Sequence, residues 1–201
     1  MSKGRVYIIS GPSGSGKDTL MKKIFEKMPD LAFSISSITR PMRDGEVNGQ
    51  KYNFISRECF EKMIAEDEFL EHNLYVDNYY GTPKTPILNC IENGKDILIE
   101  VDVNGATQIC SKMPEAVTIF ILPPSLEELK RRLVGRGTDS ADVIEKRLNE
   151  ALREIEGSVE YDYVVVNDDL DTAVNDFINI LSVDKFKTEL NLNLINKILN
   201  K

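Results

Sequence analysis

The sequence predicts an α/β fold: a parallel five-stranded sheet with helices on both faces, three layers in all. Three observations carry that prediction. Short apolar runs rich in β-branched residues recur along the chain, segments of helical spacing separate them in strict alternation, and a glycine-rich loop joins the first run to the first helix. Nearly continuous apolar runs suit strands buried on both faces. Strands alternating with helices build right-handed crossovers, the usual way of joining parallel strands.

The first strand is Val6–Ile9, followed by the loop Gly11–Lys17 and a helix over Thr19–Met28. Phe33–Ser37 is a candidate for a further strand. From Thr39 to Pro83 the rhythm changes. Short strands Lys51–Ile55 and Phe69–Tyr75 flank a helix Arg57–Glu66, and the pairs Asp44-Gly45 and Asn48-Gly49 mark turns. This stretch reads as a small insertion hung from one edge of the sheet. The alternation then resumes with strand Ile97–Ile99 and helix Asn104–Met113, strand Val117–Leu122 and helix Ser125–Arg136, and strand Tyr163–Val166 and helix Asp171–Leu181. Gly135 to Gly157 forms a basic turn and a long charged helix. The tail Lys185–Lys201 has Leu and Ile at helical spacing and predicts a terminal helix. The expected division is a core of 1–38 and 84–201 with an insertion of 39–83.

The chain has 201 residues, 41% hydrophobic and 29% charged, which suits one domain with a real core. Its formal charge of −8 argues against nucleic-acid or anionic-membrane partners, both of them polyanions. Cys59, Cys90 and Cys110 are odd in number and widely spaced, which excludes a complete disulfide framework or a zinc knuckle. No stretch approaches a membrane span, and Gly11 arrives too early for a signal sequence to precede it. The expectation is a cytoplasmic protein, monomer or homodimer.

Gly11-Pro12-Ser13-Gly14-Ser15-Gly16-Lys17 follows a strand and opens a helix, the setting a Walker A phosphate loop requires. Its glycines let successive N–H groups turn inward to cradle phosphate oxygens, and the positive helix end adds to that field. Lys17 reaches the β- and γ-phosphates of ATP, where charge develops on transfer. Position 18 is Asp18 rather than the common Ser or Thr, followed by Thr19. Asp18 either holds a water bound to the magnesium that accompanies ATP or points away, while Thr19 meets the α/β-phosphates.

A second anion site is also present. Arg40 and Arg43 lie three residues apart, with Tyr52 and the Tyr79-Tyr80-Gly81 turn later in the insertion. Two guanidinium forks and two phenol hydroxyls suit a small phosphate monoester. The stretches Ser36–Glu46, Tyr52-Asn53-Phe54 and Asn78–Pro83 resemble the GMP-binding region of guanylate kinases. Glu100–Gly105, Gly135-Arg136-Gly137-Thr138 and Val166–Asp171 also resemble their counterparts in that family. The resemblance runs from Gly11 to Asp171.

The resemblance implies a P-loop fold with a GMP-binding insertion and a helical lid near 135–157. It also implies phosphoryl transfer from ATP to GMP, with dGMP as a further acceptor. The matches to Arg40, Arg43, Tyr52 and Tyr80 hold the GMP phosphate, and those to Ser36, Glu71, Thr82 and Asp102 read the guanine. Guanine chemistry agrees, since its adjacent N1–H and N2–H₂ donors suit one carboxylate, and adenine offers no such pair. Asp102 ends an apolar strand, where parallel sheets place ligand groups, and faces either the substrate or magnesium. The equivalents of Arg136 and Arg147 swing over the phosphates, with Arg132 on the same helix-turn-helix. Asn167 lies where relatives meet adenine. Asn104 replaces a usual Gln. The single histidine, His72, reads as structural, because phosphoryl transfer between nucleotides needs no histidine base.

Three rival readings remain at this level. Asp18 keeps open a related kinase for another acceptor, such as a ribose bisphosphate. A non-catalytic interaction module of the same fold is opposed by the intact loop. A simple P-loop NTPase would not need the second anion site.

Overall fold

A computed structural model describes residues 3–135 and 140–200. The main sheet has the order β2-β7-β1-β8-β9, all neighbours parallel. Its strands are β1 (Val6–Ser10), β2 (Ala32–Phe33), β7 (Ile97–Glu100), β8 (Val117–Leu122) and β9 (Tyr163–Val166). A second sheet, β4-β3-β6-β5, is built from β3 (Ser36–Ile38), β4 (Tyr52–Phe54), β5 (Phe69–Tyr75) and β6 (Asn78–Pro83).

The central strand β1 is buried along its whole length, and its alternation feeds two cores. Tyr7 and Ile9 face α1 (Lys17–Lys27) and α7 (Leu170–Asp184), meeting Leu20, Ile24, Val174 and Phe177. Val6 and Ile8 face the opposite way, with Ile87 and Ile91 of α3 (Lys84–Glu92) and Ile109 of α4 (Val103–Lys112). A third cluster joins α5 (Leu126–Val134) to α6 (Ala141–Gly157) through Leu129, Leu133 and Ala151. The insertion adds α2 (Arg57–Ala65), and the chain ends in α8 (Leu192–Ile198).

Strands β5, β8 and β9 have the boundaries expected from sequence. The candidate strand Phe33–Ser37 divides instead. Ala32–Phe33 pairs with β7, the Ser34 amide still donates to the Leu98 carbonyl (2.9 Å), and Ser36 then starts the second sheet. That sheet therefore takes in Ser36–Ile38, on the core side of the expected boundary at 39. Tyr79-Tyr80-Gly81, read as a turn, lies within β6. The turn sits at Val76 and Asp77, which hold φ of 45° and 62° between the paired residues Tyr75 and Asn78. Both central residues of such a hairpin take positive φ, a place where Asn or Gly is the usual signal. Gly81 serves packing, since a Cβ there would lie 2.8 Å from the Phe60 ring.

Helix α3 was not expected. Pro86 stands in its first turn, where a missing N–H leaves no intrahelical bond unmade. Helix α1 starts at Lys17, two residues earlier than expected, because Gly16 in a left-handed conformation (φ 90°) turns the loop straight into it. Helix α5 ends at Val134, and the expected final residue Arg136 lies outside the described residues.

Candidate active site

The first strand delivers its loop to the mouth of a cavity of about 510 Å³ between the two sheets. Gly14 and Gly16 hold φ near 90°. A Cβ on Gly16 would run into the Asn167 side-chain amide, and one on Gly14 would sit 2.9 Å from Leu129 Cδ1. Glycine is needed there for conformation and for space. The Lys17 ammonium lies over the loop, donating to the Gly11 carbonyl and, at 3.5 Å, to that of Pro12. Burial lowers its pKa from the usual lysine value, opposed by the nearby carboxylates Glu100, Glu154 and Asp18.

The loop is braced from behind. Asn167, buried after β9, donates its amide to the Ser15 carbonyl at 2.8 Å. Arg132 of α5 donates to the same carbonyl at 3.4 Å and to the Asn167 carbonyl at 3.0 Å, with Glu128 holding its Nε at 2.8 Å. Arg147 of α6 reaches the Ser13 hydroxyl at 3.5 Å. Pro12, Ser13 and Thr19 line the cavity wall.

The opposite wall belongs to the second sheet. Glu71 on β5 is paired in register with Thr82 on β6, whose hydroxyl donates to it at 2.6 Å. Both are buried, Glu71 at 5% exposure. Desolvation raises the Glu71 pKa to about 7 against the pull of the Thr82 hydrogen bond, and the Asp102 charge adds to the rise. Asp102 does not end the strand as expected: β7 stops at Glu100, and Asp102, two residues on, is the N-cap of α4, accepting from the Gly105 amide at 2.7 Å. Ser36, Tyr52 and Tyr80 also line this wall. Arg40 is gripped end-on by Glu46 (2.6 Å to each oxygen) and lies 5.5 Å from the Tyr52 ring centroid. The Arg43 amide donates to Glu46 at 2.7 Å, and its side chain is exposed.

One cavity thus joins a phosphate loop to a buried carboxyl–hydroxyl pair. The sequence model of the guanylate kinase family matches residues 3–184. The chain belongs to the guanylate kinase family. It is therefore a nucleoside monophosphate kinase, a transferase. It is similar to a guanylate kinase of Carboxydothermus hydrogenoformans, 48% identical over 187 residues covering 93% of this chain and 92% of that protein. A guanylate kinase of Clostridioides difficile is 46% identical over 195 residues, 97% of this chain and 95% of that protein. Among solved structures, a guanylate kinase from Anaplasma phagocytophilum superposes with a TM-score of 0.79 at 33% identity, covering 98% of this chain and 95% of the other.

Within this guanylate kinase frame, the structure brings most of the expected residues to one place. Lys17, Asp18, Thr19, Ser36, Tyr52, Glu71, Tyr80 and Asp102 face or border the cavity, Thr82 backs Glu71, and Arg147 meets the loop. Arg132 and Asn167 stand behind the loop as supports. Arg136 lies outside the described residues.

Other lining residues escaped the sequence reading. Asn73 and Tyr75 share the cavity face of β5 with Glu71, which strict alternation along the strand would have found. Glu150 and Glu154 on α6 are four residues apart and face the cavity together. Burial raises the Glu154 pKa to about 7, with Lys17 opposing the rise. Lys51 had no local signal. Its ammonium lies 2.7 Å from Asp18 Oδ1 and 3.2 Å from Glu100 Oε2.

Among the described residues no group of three or more His, Cys, Asp or Glu is placed to hold a metal ion. No helix among them is long and apolar enough to cross a membrane.

Proposed function

We propose that the chain transfers the terminal phosphoryl group of ATP to GMP, and to dGMP through the same contacts, releasing ADP and the diphosphate. The observation that supports this most is the sharing of one cavity by the phosphate loop and the Glu71–Thr82 pair. ATP lies with its phosphates in the Gly11–Thr19 loop, and Arg132 and Asn167 keep that loop in shape. GMP lies against the second sheet. The Glu71 carboxylate accepts from guanine N1–H and N2–H₂, the Ser36 hydroxyl donates toward O6 or N7, and Thr82 and Asp102 complete the base site. Tyr52, Tyr80, Arg43 and the Nε edge of Arg40 hold the acceptor phosphate, with Glu46 fixing that guanidinium from its far side.

A phosphate oxygen of GMP attacks the γ-phosphorus, and the bond to the β-γ bridging oxygen breaks. The acceptor is already ionised, so no general base is required. Lys17, Arg40, Arg136 and Arg147 supply positive charge where the equatorial oxygens become more negative. The magnesium that accompanies ATP would neutralise part of the phosphate charge. The donors facing the cavity beside the loop are oxygens, which fits that ion. Thr19, Glu100 and Asp102 would hold it, and Asp18, with one oxygen on Lys51, would reach it through a water.

The test is ADP formation from ATP with GMP, AMP, CMP, UMP and ribose phosphates offered in turn. GMP should exceed AMP by at least about 10³-fold in kcat/KM, since AMP leaves the buried Glu71 unpaired. Equal rates with GMP and a ribose phosphate would overturn the assignment.

A further inference from the structure

Lys51 stands just before β4, on the insertion, yet its ammonium sits on two carboxylates of the core. Asp18 belongs to the first turn of α1, next to Lys17, and Glu100 is the last residue of β7. All four groups line the cavity where the two phosphates must meet. Lys17 and Lys51 line this cavity among the carboxylates Asp18, Glu71, Glu100, Asp102, Glu150 and Glu154. Removing Lys51 takes one positive charge from beside Asp18 and Glu100, directly where nucleotide phosphates arrive. A carboxylate at position 18 suits the positive end of α1 in the absence of ligand, but it opposes a phosphate bound at that same helix end. A hydroxyl at this position would need no counter-charge. A carboxylate does.

On the phosphoryl-transfer reading above, we propose that Lys51 is a positioning residue for the reaction: it neutralises Asp18 and draws that carboxylate off the phosphate path, tying the insertion to the phosphate loop. It acts through Asp18, which separates it from a lysine that touches nucleotide directly. Through Asp18 and Glu100, Lys51 ties the segment before β4 to α1 and to the end of β7, so it sets where the acceptor wall stands relative to the loop. Because Asp18 and Lys51 come from segments 33 residues apart in sequence, their pairing is visible only in the folded chain.

The test is steady-state kinetics of the full chain and its K51M, K51R, D18S and D18S/K51M variants, with Mg·ATP and GMP each varied. K51M should raise KM for ATP by roughly fivefold or more, with a smaller change in KM for GMP. K51R, which keeps the charge, should stay within about twofold of the parent on the same reasoning. D18S/K51M should have a KM for ATP within about twofold of D18S alone, as expected when two groups act as one unit. Melting curves are recorded for each protein, and K51Q replaces K51M if the latter does not fold. A K51M (or K51Q) enzyme with parental KM overturns the proposal. A double variant as impaired relative to D18S as K51M is to the parent also overturns it, since Lys51 would then act on the nucleotide without Asp18. Absence of GMP phosphorylation by the parent would instead sink the functional reading itself.

Discussion

Glu71 is a carboxyl group that burial pushes toward its neutral form, yet its proposed task needs the carboxylate. With a pKa raised to about 7, it is largely protonated at pH 6 and ionised at pH 8. Guanine's paired donors favour the ionised form, so GMP affinity rises with pH. KM for GMP should fall by about tenfold between pH 6 and pH 8 beyond the change due to ionisation of GMP's own phosphate. E71Q should lose that extra dependence and on the order of 10²-fold in kcat/KM for GMP. Stability carries the opposite sign. Between the ordinary carboxyl value of 4.5 and about 7, the folded chain holds a proton that the unfolded chain has released. Stability therefore declines as pH rises through that window, by up to about 1.4 kcal/mol per pH unit, and levels off above it. Glu154 has a similarly raised value, so E71Q should remove only part of the slope in urea titrations at several pH values. Lys17 was legible in the sequence because the phosphate-loop motif singles it out, and Glu71 because of the resemblance to guanylate kinases, with which guanine chemistry agrees. Lys51 and Glu154 were not, because their importance comes from which carboxylates or lysines the fold sets beside them.

At the scale of elements, the segment before β1 and the end of α7 meet at a buried carboxylate, which also pairs with Lys187 at 2.8 Å. Asp184, the last residue of α7, is fully buried and accepts from Arg5 Nε and from a terminal nitrogen of the same guanidinium, both at 2.8 Å. Truncation leaves the Arg5 charge, itself only 13% exposed, without that partner. D184A should cost about 3–5 kcal/mol in denaturant unfolding, leaving KM for both nucleotides near parental values. Helix α8 makes the contrasting case, since none of its residues is buried. Deleting residues 192–201 should move Tm by less than about 2 °C and leave kcat unchanged, which a melting curve and one assay would check. The same contrast explains which elements could be read beforehand. Strands β8 and β9 show as apolar runs with sharp ends, so their bounds followed directly. The division of Phe33–Ser37 between two sheets depends on partners distant in sequence. Helix α3 was hidden by Pro86, a residue that reads as a breaker and here occupies the one turn that tolerates it.

For the whole molecule, the consequence is that donor and acceptor walls are made by different sheets, with the α5–α6 pair beside them. Arg147 reaches the loop from α6, and Glu150 and Glu154 face the same cavity. On the proposed reading, the site is complete only when the donor wall, the acceptor wall and this helical pair are all engaged. ATP alone should therefore be a poor substrate for hydrolysis. ADP release without GMP should stay below about 1% of the rate with GMP, measured in a coupled assay, because water is excluded only in the filled site. The acidic character of the chain does not oppose this, since local positive groups decide what the cavity accepts.

The second sheet contains no strand of the main sheet, and the chain passes from one to the other within Ser34 and Ile35. On the proposed assignment, most acceptor contacts sit in this cassette, while the frame carries the phosphate loop and contributes Asp102. Selection can exchange or retouch the cassette and give the enzyme a new taste without rebuilding its engine.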